Sequence, residues 1–137
     1  MPHISKDHLI SRFTALILGG RDLPKKDQDL HILFISATLS LDPQREYSEA
    51  ELNDELRKWS AQFGDNFALD HVTLRRFLID AGYLRRNTAG SEYQLNAIDM
   101  PYTYDESLKN LDLVKLIEDA KREREERKQR YLKEAKG

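Results

Sequence analysis

Apolar residues recur at three- and four-residue steps in five stretches of the chain, and alternate in only one. The first spacing buries one face of a helix; the second buries one face of a strand. Leu9, Ile10, Phe13, Leu16 and Ile17 predict a first helix, with Ser5 as its N-cap and Gly19-Gly20 as its stop in a left-handed C′ position. Leu30, Leu33, Phe34, Ala37 and Leu41 predict a second helix, one-sided and ending near Leu39, with Pro24 in its first turn and Asp42-Pro43 breaking the pattern. Leu52, Leu56, Trp59 and Phe63 predict a third.

Local signals sharpen the next elements. Ser48 and Glu51 form an S-x-x-E capping box ahead of the third helix, with Tyr47 and Leu52 placed as a hydrophobic staple. After a turn at Gly64-Asp65-Asn66, a fourth helix starts near Leu69 or Asp70 and buries Leu74, Phe77, Leu78 and Ala81. Its opposite face holds Leu69, Val72, Thr73, Arg76 and Asp80, with Arg75 on the border. Gly82 stops it. Tyr83 to Asn87 and Ser91 to Leu95 then read as a two-stranded ribbon around Thr88-Ala89-Gly90. Alternation turns Leu84, Tyr93 and Leu95 inward and Tyr83 and Arg85 outward. Arg86 shares the Leu84 face near the hairpin tip.

Residues 97–107 read as an extended linker. A last helix over 108–137 carries Leu108, Leu111, Val114 and Ile117 in its first half and is charged from about residue 118. Pairs such as Glu118–Arg122 and Glu123–Arg127 suit a solvated helix. The order helix, strand-free turn, helix, hairpin gives a mainly α fold with a small β-hairpin. We read it as a winged helix-turn-helix over residues 1–96, with an N-terminal helix and a charged C-terminal helix.

Composition narrows the function classes. With no cysteine among 137 residues there is no disulfide and no thiolate chemistry. No apolar run is long enough to cross a bilayer, and the N-terminus lacks the basic-then-apolar order of a secretory leader, so a cytoplasmic protein without membrane partners is expected. His3, His8, His31 and His71 are scattered without metal-ligand spacing, so no metal or other cofactor is expected. No nucleophile–base pair is legible, and we expect no enzyme. Charge is uneven: residues 1–108 hold 12 Lys/Arg against 17 Asp/Glu, a net −5, while residues 109–137 hold 10 against 7, a net +3.

Two resemblances rest on these residues. Leu74-Arg75-Arg76-Phe77-Leu78-Ile79-Asp80-Ala81-Gly82-Tyr83-Leu84-Arg85-Arg86, with Gly90, Tyr93 and Leu95, resembles the recognition helix and wing of ArsR-type transcriptional regulators. A wider set comprises Arg21-Asp22-Leu23-Pro24-Lys25-Lys26, then Tyr47-Ser48-Glu49 with Glu51-Leu52-Asn53, then Asp70-His71 with Leu74-Arg75-Arg76. It resembles an uncharacterised prokaryotic domain family over residues 20–96, one found alone and attached to ArsR-like regulators. The resemblance implies a winged-helix fold and a part in gene regulation, with no catalytic residues. The absence of cysteine departs from the metal-sensing ArsR proteins.

On this reading Thr73 and Arg76 face a DNA groove with His71 and Arg75 beside them, while Arg85 and Arg86 contact phosphate. The alternative is a non-enzymatic protein-interaction module with Val72 and Ile79 as apolar anchors. The acidic body and a net of only +1 over residues 70–96 weigh against strong general DNA affinity. The charged helix is read as a solvated single helix or a phosphate-binding arm. Its residues 118–130 lack the apolar seam of an ordinary coiled coil. Its first half, Leu108 to Ile117, would serve a homodimer.

Overall fold

The computed structural model describes residues 2–96 and 98–136. Ala97, the first residue of the expected linker, and Gly137 lie outside the described residues. The elements run β1 (His3–Ile4), α1 (Lys6–Gly19), α2 (Asp27–Thr38), β2 (Glu46–Ser48), α3 (Glu49–Trp59), α4 (His71–Ala81), β3 (Leu84–Arg86), β4 (Glu92–Leu95), β5 (Thr103–Tyr104) and α5 (Leu113–Lys136). The fold is mainly helical with a small antiparallel sheet, as expected.

Ser5 caps α1, its hydroxyl accepting from the His8 N–H. Gly20 does not close α1 in the left-handed region: its φ is −82°. Glycine is needed there for proximity, since a Cβ would lie 2.5 Å from the Leu16 carbonyl oxygen. Pro24 stays in the connector, because α2 begins only at Asp27 after Lys26.

Helix α2 is the centre of the molecule. The sequence pattern gives it one apolar face, yet Ile32 and Ile35, both outside that face, are fully buried with Leu33. A helix apolar all round belongs inside. Helix α1 packs along it, and Arg12 donates from Nε and Nη2 to the two carboxylate oxygens of buried Asp29, each at 3.0 Å. The guanidinium holds the Asp29 carboxyl below its ordinary range, against the opposing effect of burial.

The capping box forms. Ser48 Oγ accepts from the Glu51 N–H (3.1 Å) and Glu51 Oε1 accepts from the Ser48 N–H (2.9 Å). Tyr47 and Leu52, the staple, are both buried. The stripe Leu52, Leu56, Trp59 and Phe63 is buried as well, and Trp59 Nε1 donates to Ser36 Oγ on α2 (2.9 Å). Beyond Trp59 the backbone widens into a π turn over Ser60–Gly64 and tightens into a 3-10 turn over Asp65–Phe67. Ala68 at φ 52° then reverses the chain into α4.

Three expectations at this corner are corrected. Leu69 is buried rather than outward, because Asp70 is the N-cap and Leu69 precedes the helical wheel. Tyr83 is wholly buried rather than outward. Gly82, at φ 92°, and Tyr83 close α4 together, the Tyr83 N–H donating to Leu78 O (2.9 Å), so this ring belongs to a helix cap and not to strand alternation. The ribbon also has a third strand. Strand β2 pairs antiparallel with β4 (Tyr47 opposite Tyr93), giving the order β2-β4-β3.

Residues 98–110 are built onto the body. Strand β5 pairs in parallel with β1, His3 opposite Thr103 and Ile4 opposite Tyr104. A 3-10 turn over Glu106–Asn110 buries Leu108, so the last helix starts at Leu113 rather than at Leu108. Ile117 docks, and Leu113 and Leu116 are half-buried beside it, but Val114 stays 36% exposed.

Candidate nucleic-acid interface

Helix α4 is fixed at both ends before its outer face is considered. Asp70 Oδ1 accepts from the Thr73 N–H (2.7 Å), which holds the Asp70 carboxyl below its ordinary value and keeps it charged at the helix start. Gly82 closes the other end. Between them α3 and α4 pack against each other, and α4 packs against β3.

Arg75 ties these parts together. Its Nη1 lies 3.1 Å from Glu49 Oε1 and donates to Asn53 Oδ1, both on α3, and its guanidinium carbon is 5.8 Å from the centre of the Tyr93 ring on β4. The side chain is 17% exposed. It bridges three elements and has little of its charge left for a ligand.

Arg76 is exposed, as are Arg85 and Arg86. Arg76 and Arg86 line one groove of about 330 Å³ between α4 and the β3–β4 hairpin, together with Glu49, Val72, Ile79, Asp80 and Tyr93. Arg86 lies 6.0 Å from the Tyr93 ring centre, so this one buried ring carries an arginine from α4 and another from β3. Arg85 does not line that groove. Its register partner is Gln94, on the sheet face opposite Tyr93 and Leu95. Glu46, whose register partner is also Gln94, and Glu92 share that face. The Glu92 carboxyl is raised by its hydrogen bond to Glu46, the mark of two acids in contact. His71 and Thr73 are half-buried at the start of α4, His71 beside Arg57 and Asp70 in a separate hollow. The six expected residues therefore divide: Arg75, Arg76 and Arg86 surround one groove, and His71, Thr73 and Arg85 lie outside it.

A second constellation escaped the sequence pattern. His31 Nδ1 and the Tyr83 hydroxyl are hydrogen-bonded at 2.7 Å, and His31 Nε2 is 3.5 Å from Asp27 Oδ1. Asp27 Oδ2 accepts from the Tyr102 hydroxyl (3.0 Å), and the Tyr102 ring centre lies 4.9 Å from that of His31, the rings tilted by 52°. The tautomer with its proton on Nε2 satisfies both neighbours. Burial holds the His31 imidazole below its ordinary value, with Asp27 pulling weakly the other way, and burial raises the Tyr83 phenol. The only signal for this cluster was the i,i+4 step from Asp27 to His31. Its other members are dozens of residues away.

Among the described residues no group of three or more His, Asp or Glu side chains is placed to hold a metal ion. Among the same described residues no helix is long and apolar enough to cross a membrane.

Residues 21–95, from the connector before α2 to the last residue of β4, match the family described as an uncharacterised protein conserved in bacteria, DUF2087. The chain belongs to this family. The DUF2087 region thus holds α2, the capping box, α3, α4 and the whole three-stranded sheet, while α1, β1, β5 and α5 lie outside it. Neither a curated protein nor a solved structure matches the chain.

Proposed function

We propose that this DUF2087 protein is a winged-helix module that binds duplex DNA in transcription regulation, through α4 and the β3–β4 wing. The observation that carries the reading is the shared groove. Arg76 from the outward face of α4 and Arg86 from the wing open onto the same surface, and both are exposed. A helix of this kind enters a major groove while its wing meets the backbone. Arg85 adds a phosphate contact from the sheet's other face. Arg75 supports the surface from beneath, through Glu49 and Asn53. The resemblance of the 74–95 stretch to ArsR-type regulators points the same way.

A protein partner is the second reading, and a specific feature favours it. Val72 is 45% exposed and shares the groove with Ile79, while Asp70, Asp80, Glu46 and Glu92 offset the exposed Arg76, Arg85 and Arg86. The two readings differ in salt response. The two phosphate contacts, from Arg85 and Arg86, give a slope of about −2 in log affinity against log salt, whereas an apolar partner gives almost none.

Fluorescence polarisation with a mixed duplex pool at two salt concentrations tests this. Wild type is expected to bind at low salt. Arg76→Ala is expected to lose about 1–3 kcal/mol, the value of one base contact, and Arg85→Ala is expected to lower the salt slope by about one. Absence of binding at low salt, or wild-type behaviour of both variants, defeats the DNA reading.

A further inference from the structure

Helix α5 carries an exposed stripe that reads the same backwards with its charges exchanged. Val114, Glu118, Lys121, Glu125, Lys128 and Leu132 follow at alternating steps of four and three residues, the spacing of a seam between two helices. All six are exposed, Leu132 at 43%. Laid antiparallel against itself, the stripe sets Val114 on Leu132, Glu118 on Lys128 and Lys121 on Glu125, then the same three contacts in reverse. Laid parallel, it sets Glu on Glu and Lys on Lys. Among the described residues Glu118, Lys121 and Lys128 have no ion-pair partner within 4 Å, whereas Arg122, off the stripe, lies between Asp119 (3.2 Å) and Glu126 (3.9 Å).

An independent feature sits where the stripe begins. Val114 borders an apolar groove of about 760 Å³ between α2, α3 and the start of α5, lined among others by Leu39, Trp59, Phe63 and Leu111. In the antiparallel arrangement the far end of a second α5 arrives at this rim, bringing Tyr131 and Leu132. Tyr131, a large aromatic ring, is 71% exposed there.

We propose that α5 pairs antiparallel with α5 of a second copy of this chain, with Tyr131 and Leu132 of each copy seated at the groove beside Val114 of the other. The contact is isologous, so one self-complementary stripe builds both halves of it. From residue 114 to 132 it spans about 27 Å, at a rise of 1.5 Å per residue. Its apolar ends supply the hold and its ion pairs choose orientation and register, since exposed pairs add little affinity by themselves. Arg124 of each copy flanks the twofold axis, a like-charge contact that keeps the dimer weak. The pairing uses none of the α4 surface and stands whether or not that surface meets DNA.

Sedimentation equilibrium on the full chain up to about 200 µM, a range suited to weak dimers, should show the mass rising from 16.0 kDa toward twice that value. The variant Lys121→Glu/Lys128→Glu makes the stripe wholly acidic, and Glu118→Lys/Glu125→Lys makes it wholly basic. Each alone should associate at least about ten-fold more weakly than wild type, a difference of 1.4 kcal/mol, and an equimolar mixture should associate again. Orientation is read separately, because the chain has no cysteine of its own. Val114→Cys mixed with Leu132→Cys should form a disulfide on mild oxidation faster than either variant does with itself. A wild type that stays monomeric, a mixture that fails to recover, or a faster 114–114 crosslink each overturns the proposal.

Discussion

His31 and Tyr83 join, at the scale of single residues, parts of the chain that share no sequence pattern. The imidazole sits between the Tyr83 hydroxyl, the Tyr102 ring and the Asp27 carboxylate, and its burial disfavours the charged form. Its folded pKa is therefore below the unfolded value of about 6.5. The unfolded chain binds the proton more readily, so this contribution to stability is complete above about pH 6.5 and is lost as pH falls toward the folded pKa. Urea unfolding of wild type should show a falling midpoint between about pH 7 and pH 5, and His31→Gln should flatten that slope. The depressed carboxyls of Asp29 and Glu51 act in the same direction, but only below the ordinary carboxylate range of about 4. The two windows are separable. An unchanged slope in His31→Gln would show that this imidazole is not the group responsible.

At the scale of elements, the sequence carried most of what its own local chemistry determines. The capping box is an example, since Ser48, Glu51, Tyr47 and Leu52 specify an N-terminus within six residues. Ser48→Ala should cost about 1 kcal/mol in chemical denaturation, and a loss near zero would mean that water replaces the cap. The buried stripes of α3 and α4 were legible for the same reason, because helical period alone sorts Leu52, Leu56, Leu74 and Leu78 inward. What failed was whatever depends on a partner distant in sequence. Strand β2 is three residues long and exists because β4 lies beside it. Tyr83 turned inward because a helix cap, not a strand, sets its direction. The site divided along the same line. The exposure of Arg76 followed from the wheel of α4, but the capture of Arg75 needed Glu49 and Asn53, which arrive from another helix.

For the whole molecule, the DUF2087 region does not cover itself. Phe63, inside it, meets the edge of Phe13 from α1 at 5.2 Å, and Ile4, Leu9 and Phe13 are all wholly or almost wholly buried. Helix α1 in turn packs on α5. The outer layer therefore completes the core. Phe13→Ala should cost about 3–5 kcal/mol, the range for a buried phenylalanine, which is a large part of the stability of a domain this size. A urea midpoint within error of wild type would mean that the inner region stands alone.

The short ladder between β1 and β5 sets an order of events in time. His3 and Thr103 are hydrogen-bonded across 100 residues of sequence, so a ribosome that has released the first must keep working before the second exists. At roughly 5–20 residues per second that interval is about 5–20 seconds. Throughout it Ile4 lacks its strand partner and α1 lacks α5, while the residues of α2 to β4 emerge one after another. A nascent chain halted before residue 103 should therefore present the β1 edge and the apolar side of α1 to chaperones, and a finished chain should withdraw both.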